Sequence, residues 1–373
     1  MHKTVLWSLR LGFSAKQSTK IEQLGIKPFL NNSFNAPISK KEPAFLQDTP
    51  KTIAEIKSYR KKIKAAAEGE KKKLRKTNKS YLQKLNFWWL NKMRSDDYPL
   101  REKMTCFWHN HFVATAKKVK VPYWIYQHNN LLREQAFGNF RELTRSVLKS
   151  NAIIKYLDND GNKIETINEN LSRELLELFT LGVGNYTEMD VKNGARALAG
   201  LSPNDNKARY RPKQEDNDTK TYLGKTGNLK VDDLVDAIFE HKNAPYRITK
   251  KILQWFIYDN PNENLIKYYG DYLKIVDYEI KPLLTKIFTE EYTKKNAGSK
   301  IKDPLLYALQ LLDELQVSEI KPKQLDKFLM QQGMDLYNQP NVKGWEGGKA
   351  WLTSQVFLQR NKLADMLCKG KVF

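Results

Sequence analysis

Apolar residues recur along this chain at intervals of three and four, and strict apolar-polar alternation is nearly absent, which predicts a mainly α protein. The pattern places short helices near 4–11, 16–24 and 26–32, then a Pro- and Asn-containing connection from Asn35 to Pro50. A long helical hairpin follows over about 52–93, with Gly69 near its middle, and Pro99 opens the next helix, which carries Met104, Phe107, Trp108 and His109. Further helices are predicted at 122–136, 139–149, 169–181, 187–199, 231–240, 244–257, 262–275, 279–290, 303–315 and 322–334, with a last one ending near Cys368. Thr166 with Glu169 and Thr187 with Asp190 have capping-box spacing, and Gly182 and Gly200 stand where left-handed C-terminal caps belong. Residues 202–230 lack helical periodicity and read as a loop-rich insert holding at most a small β-hairpin. No internal repeat is visible, so residues 1–373 read as a single large multi-helix domain rather than a solenoid.

One predicted helix stands out. In N-E-N-L-S-R-E-L-L-E-L-F-T-L-G, residues 168–182, a turn of 100° per residue puts Leu171, Leu175, Leu178 and Phe179 on one arc. Asn170, Arg173, Glu174 and Glu177 fall on the opposite arc, with Glu169 at its edge. Two carboxylates, an amide and a guanidinium therefore share a face. Glu174 and Glu177 have the i, i+3 spacing that helical bundles use to aim carboxylates at a shared metal. The competing account is an ion-pair network in which Arg173 bridges Glu169 and Glu177.

Composition changes the picture only in part. With 40% hydrophobic and 11% aromatic residues the chain can bury a core, so global disorder is excluded. Cys106 and Cys368 are the only cysteines, too few for a disulfide framework or a C-x-x-C metal motif. No apolar run is long enough to span a bilayer, and Arg10 interrupts the short apolar stretch at the amino terminus, so a cleaved export signal is not expected and the default location is cytoplasmic. The formal charge of +22 suggests a polyanionic partner, but residues 57–79 alone hold eleven Lys or Arg against Glu68 and Glu70. That run predicts a projecting basic face able to meet an acidic polymer or protein. Aromatics are not interleaved with it as base stacking requires, so specific nucleic-acid binding is not expected.

Long motifs carry a resemblance. L-R-L-G-F, M-T-C-F-W-H-N-H-F, L-R-E-Q-A-F-G-N-F-R-E-L, Y-L-D-N, the 168–182 segment, Y-T-E-M-D-V, K-T-Y-L-G-K-T-G-N and N-V-K-G-W-E-G-G-K-A-W together resemble the bacterial family known as domain of unknown function 1800. The resemblance covers nearly the whole chain and implies a family without implying a reaction. Genomic association of relatives with phosphatase- and sulfatase-like proteins implies an envelope or exported role. Where many relatives carry His-Asp before K-T-x-L-G, this chain has Glu215-Asp216, and where they often place His in the L-R-x-x-A-x-G-N-F motif it has Gln135.

The chemistry expected from these residues is a divalent-metal-assisted hydrolysis in a polar pocket. His109 and His111 are the candidate metal ligands, although i and i+2 lie about 200° apart on a helix and share an ion only if the segment ends or becomes irregular there. The plainer expectation is one imidazole on buried backbone and the other in solvent. Glu174 or Glu177 would serve as general base or ligand, Arg173 would hold an anionic group and Asn170 would orient a carboxylate or substrate. The alternative is a non-catalytic scaffold that meets an acidic polymer or partner through the basic hairpin. Trp345, Gly347, Gly348 and Trp351 read as a tight turn packed by its aromatics more than as a cleft wall, and His128 and His241 as ordinary structural or surface histidines.

Overall fold

The computed structural model describes residues 2–295, 298–317 and 321–370. Among these residues the chain forms nineteen α-helices and two antiparallel two-stranded ladders, a mainly α architecture. No described helix is long and apolar enough to cross a membrane. One contiguous apolar cluster runs from Trp7 to Leu367.

The hairpin is Ile53–Ala65 and Glu68–Ser95, turning at Ala66 and Ala67. Its first helix starts on a capping box in which Thr52 Oγ1 accepts from the Glu55 amide and the Glu55 carboxylate accepts from the Thr52 amide. The second helix, 28 residues long, extends about 42 Å at the usual rise of about 1.5 Å per residue. Its buried residues, Leu85, Asn86, Trp89, Leu90 and Met93, all lie in the carboxy-terminal half, so the basic amino-terminal half stands away from the core.

The helix Leu100–His111 occupies the centre. Every residue in it except Asn110 is buried, and it packs against Ile26–Asn35, Glu68–Ser95 and Pro122–Glu134. Enclosure on all sides forces its polar side chains to find partners. Lys103 Nζ donates to the carbonyls of Leu9 and Gly12, both at 2.6 Å, and burial lowers its pKa to about 8. Glu102 takes Arg133 in a two-pronged pair at 2.6 and 2.9 Å and the Trp89 indole N–H at 2.8 Å.

The insert is more ordered than a single small hairpin. Leu201–Ser202 pairs with Arg209–Tyr210, and Lys220–Tyr222 pairs with Lys225–Gly227. A buried lysine organises the second ladder: Lys220 Nζ donates to the Asp216 and Asp218 carbonyls and sits 3.2 Å from the Asp216 carboxylate, which also takes Arg196 at 2.7 Å. Glu215 pairs with Lys230 at 2.8 Å, and Gln135 Nε2 donates to Ser146 Oγ. Glu215 and Gln135 thus each hold a side-chain partner in this chain.

Thr187 and Asp190 form the expected capping box, and Gly182 and Gly200 adopt φ of 87° and 81°. Thr166 and Glu169 do not. Asn168 Oδ1 takes the amide of Asn170 instead, and Thr166 pairs with Lys163 in an isolated bridge, so the helix begins three residues later than the box would require. Gly194, on the helix Glu188–Ala197, lets that helix close on the 168–182 segment: a Cβ there would lie 2.3 Å from Ser172 Oγ and 2.9 Å from the Tyr222 ring. Gly194→Ala is expected to cost about 1–3 kcal/mol by overpacking, read as a lower urea midpoint at unchanged slope.

Candidate functional site

The 168–182 segment is not one regular helix. Asn170–Glu174 is α-helical, and Leu175–Thr180 continues as a π-helix, in which the Leu181 amide reaches back five residues to the Leu176 carbonyl at 3.0 Å. Wider turns leave some carbonyls without the usual helical partner, and such turns are frequent at functional sites. Two side chains take up carbonyls here. His111 Nε2–H donates to the Phe179 carbonyl at 3.0 Å, and Arg247 Nε–H donates to the Leu178 carbonyl at 2.9 Å. The two long motifs are joined through a single imidazole.

The polar face separates into parts. Asn170 Nδ2 donates to the Leu157 carbonyl at 3.2 Å, which fixes the entry of the segment. Arg173 pairs with Glu169 at 2.9 Å and with both carboxylate oxygens of Glu188 at 2.8 and 2.9 Å, so the expected bridge to Glu177 is replaced by one to the neighbouring helix. Glu174 is half-buried, and burial followed by repulsion from Glu177 raises its pKa, with Lys343 and Arg173 opposing. Glu177 accepts from the Tyr186 hydroxyl at 3.4 Å, and Arg247 feels its charge. Glu174 thus feels the charges of both Glu177 and Lys343.

The two histidines have unlike surroundings. Both are buried, so neither meets solvent. The His109 ring packs edge-on to His128 and Tyr337 and tilted on Trp89, with Gln339 Nε2 at 3.5 Å from its Nδ1. Burial, then the neighbouring His128, hold its pKa well below the ordinary histidine value. His111 turns to the π-helix, and burial together with the charges of Lys251 and Arg247 keeps it neutral. Since Nε2 carries the proton given to Phe179, Nδ1 is an acceptor, and it has no partner. Among the described residues no three His, Cys, Asp or Glu side chains come together as a bound metal requires, so the His109, His111, Glu174 and Glu177 set does not converge as metal ligands. His128, read from sequence as structural or surface, is buried and donates from Nε2 to the Phe112 carbonyl at 2.9 Å.

What His111 does share is a cavity of about 440 Å³. The segment 338–351 forms one wall, stitched to the central helix by Asn110, whose Oδ1 accepts the Trp345 amide at 2.6 Å, and by Gln339, whose Nε2 donates to the His109 carbonyl at 3.1 Å. Gly344, at φ 85°, sits against Asn110 so closely that a Cβ would lie 2.3 Å from its Oδ1 and 2.5 Å from its carbonyl oxygen. Trp345, Gly347, Gly348 and Trp351 line the cavity, so this turn is a cleft wall as well as a packed loop. The opposite wall is the helix Ala244–Phe256, which contributes Lys251, Gln254 and Trp255. Burial, reinforced by nearby Arg247, lowers the Lys251 pKa to about 7. Lys343 and Lys349 stand exposed on the wall, while Lys300 lies 3.6 Å from Asp259. The indole N–H groups of Trp255 and Trp345 are buried without a partner. Cationic and aromatic side chains thus line the chamber together with Asp259 and Glu346.

The three strands of this geometry, H-N-H, the π-helix and the G-W-E-G-G turn, come from three of the longest sequence motifs. A family model described as protein of unknown function, DUF1800, matches residues 5–371. The chain belongs to the DUF1800 family. Neither curated proteins nor solved structures gave a match. Within this DUF1800 chain, Lys251, Asn110 and Trp255 were not among the residues expected to matter. Lys251 had a legible signal: at 100° per residue it falls beside Ile248, Ile252 and Trp255 on the inward arc, whereas Lys250 falls on the outer one. A lysine on an apolar stripe is either snorkelling or buried for use.

Proposed function

We propose that this DUF1800 protein is a hydrolytic enzyme for a small anionic substrate, acting in the cavity between the H-N-H helix, the Ala244–Phe256 helix and the 338–351 wall. The observation that supports this most is the pairing of Lys251 with His111 in one chamber: an amine tuned to neutral pH beside an imidazole whose Nδ1 is held as an acceptor by the bond its other nitrogen makes. In its neutral form Lys251 takes a proton from the attacking water. Lys300, Lys343 and Lys349 hold the substrate's anionic group, with the unpartnered Trp255 and Trp345 N–H groups as further donors nearby. The π-helix positions His111, and Glu174 and Glu177 act from outside the chamber through Lys343. No step needs the four originally expected residues to share a metal.

The sign of the pH dependence follows. A base with its pKa near 7 is neutral above that value, so the rate rises as pH increases through about 7. The test uses p-nitrophenyl carboxylate, phosphate and sulfate esters with wild-type protein and Lys251→Met. We expect release from at least one ester, reduced about 100-fold or more in Lys251→Met, in line with the usual contribution of a positioned acid or base. Turnover that survives in Lys251→Met, or that is flat between pH 6 and 8, would overturn the assignment.

A further inference from the structure

A second recess lies between the basic hairpin and the body, and it shares no lining residue with the cavity above. Its volume is about 580 Å³. Tyr59 O–H donates to the Leu74 carbonyl at 3.0 Å and locks the two hairpin helices together, while Asn78 Nδ2 donates to the Lys120 carbonyl at 3.4 Å and ties the hairpin to the body. The hairpin is therefore held as one side of a groove. The opposite side is the short helix Ala116–Val119 and the turn after it, where Lys120 adopts φ 60°.

The lining has two characters. Ile56, Ile63, Val119 and Val121 supply an aliphatic floor, and Arg60, Arg75, Lys118, Lys120 and Lys155 a cationic rim, against the single carboxylate of Asp158. That carboxylate is already matched by Lys118 at 2.7 Å, and Lys155 is matched by Asp160 at 2.8 Å. Arg60, Arg75 and Lys120 form no ion pair among the described residues. Three uncompensated cations over an apolar floor are complementary to a chain that carries both carboxylates and aliphatic side chains. Nucleic acid fits less well, because Tyr59 is the single aromatic in the groove and bases would have nothing further to stack on. A sugar polymer would leave the aliphatic floor unmatched.

We propose that the groove between the hairpin and residues 118–122 docks an acidic, leucine-rich type of peptide segment from a partner protein, with Arg60 and Arg75 reading its carboxylates and Ile56, Ile63 and Val121 its apolar side chains. The basic hairpin is then a recognition arm rather than a solubilising face.

The test is fluorescence anisotropy with a labelled twelve-residue peptide that alternates acidic pairs with leucines, set against a polyglutamate peptide, a twelve-nucleotide single strand, a sulfated polysaccharide and phosphatidylglycerol vesicles. The full chain should bind the mixed peptide at least ten times more tightly than polyglutamate and in preference to the other three. Arg60→Glu/Arg75→Glu should lower that affinity at least tenfold and flatten its salt dependence, with Ile63→Ser reducing affinity for the mixed peptide but not for polyglutamate. The reference is Lys72→Glu/Lys73→Glu, an equal charge change on the exposed hairpin outside the groove. Equal losses in the two double variants would show general charge attraction and overturn the proposal. So would no binding, or preference for the nucleotide, the polysaccharide or the vesicles. Circular dichroism of each variant confirms that it is folded.

Discussion

Glu102→Gln is expected to lower stability by roughly 3–5 kcal/mol, and Arg133→Met by a similar amount, the usual range for breaking one partner out of a buried ion pair. Both side chains are almost completely buried, and their two-pronged contact is the charged centre between the H-N-H helix, which carries Glu102, and the helix Pro122–Glu134, which carries Arg133. Gln keeps an acceptor for the Trp89 N–H but leaves the Arg133 charge with no counter-ion, and the Asn129 side-chain Oδ1 at 2.7 Å cannot neutralise it. Removing Arg133 leaves the Glu102 carboxylate with a single indole donor. Urea unfolding measures each loss. The double variant Glu102→Met/Arg133→Met should lose less than the sum of the two singles, because an apolar pair of similar size carries no uncompensated charge. Additive losses would mean that the pair is not coupled.

Gly344→Ala is expected to be the most damaging single change at the cavity. Its φ of 85° is left-handed, and holding alanine there costs roughly 1–3 kcal/mol before any contact is counted. The added methyl also meets both Oδ1 and the carbonyl oxygen of Asn110 far inside van der Waals distance. The carbonyl belongs to the end of a buried helix and cannot retreat, so the 338–351 wall must lift. The expected result is loss of the Asn110-Trp345 contact and a red-shifted tryptophan emission as Trp345 and Trp351 become wetter, with most helical signal retained. Unchanged emission and stability would show that the wall is not set by this contact. Asn110→Ala should give a weaker version of the same phenotype, since it removes the acceptor without adding bulk.

Periodicity was enough to anticipate the helices because each buries a definite apolar arc, and the Thr187-Asp190 cap was legible because its partners are three residues apart. Thr166-Glu169 has the same spacing, yet Asn168, two residues closer to the helix, accepts from its first amide, that of Asn170. The angular reading of 168–182 assumed one pitch throughout. It holds up to Glu174 and lapses at Leu175, where the wider π turn begins, and this is why Arg173 reaches Glu188 rather than Glu177. For His109 and His111 the i, i+2 argument correctly kept the rings apart, but it expected one to meet solvent. Burial of a helix on all sides depends on which elements surround it, and local sequence does not carry that information. The cavity was invisible for the same reason: Lys251, Asn110 and Trp345 are brought together only by tertiary packing.

Lys251 also ties function to stability. Its pKa falls on folding, so the unfolded chain binds more protons between about pH 7 and its ordinary 10.5, and this group's contribution to stability rises with pH across that window. The most direct test is competitive acetylation with acetic anhydride across pH 5 to 11, followed by peptide mass spectrometry, with the half-buried Lys250, paired with Glu263 on the outer face of the same helix, as internal reference. The account predicts that Lys251 reacts half-maximally near pH 7, well below the ordinary lysine value of 10.5, and that added phosphate or carboxylate anions shift its midpoint upwards. A Lys251 midpoint near the ordinary 10.5, with no response to anions, would contradict it.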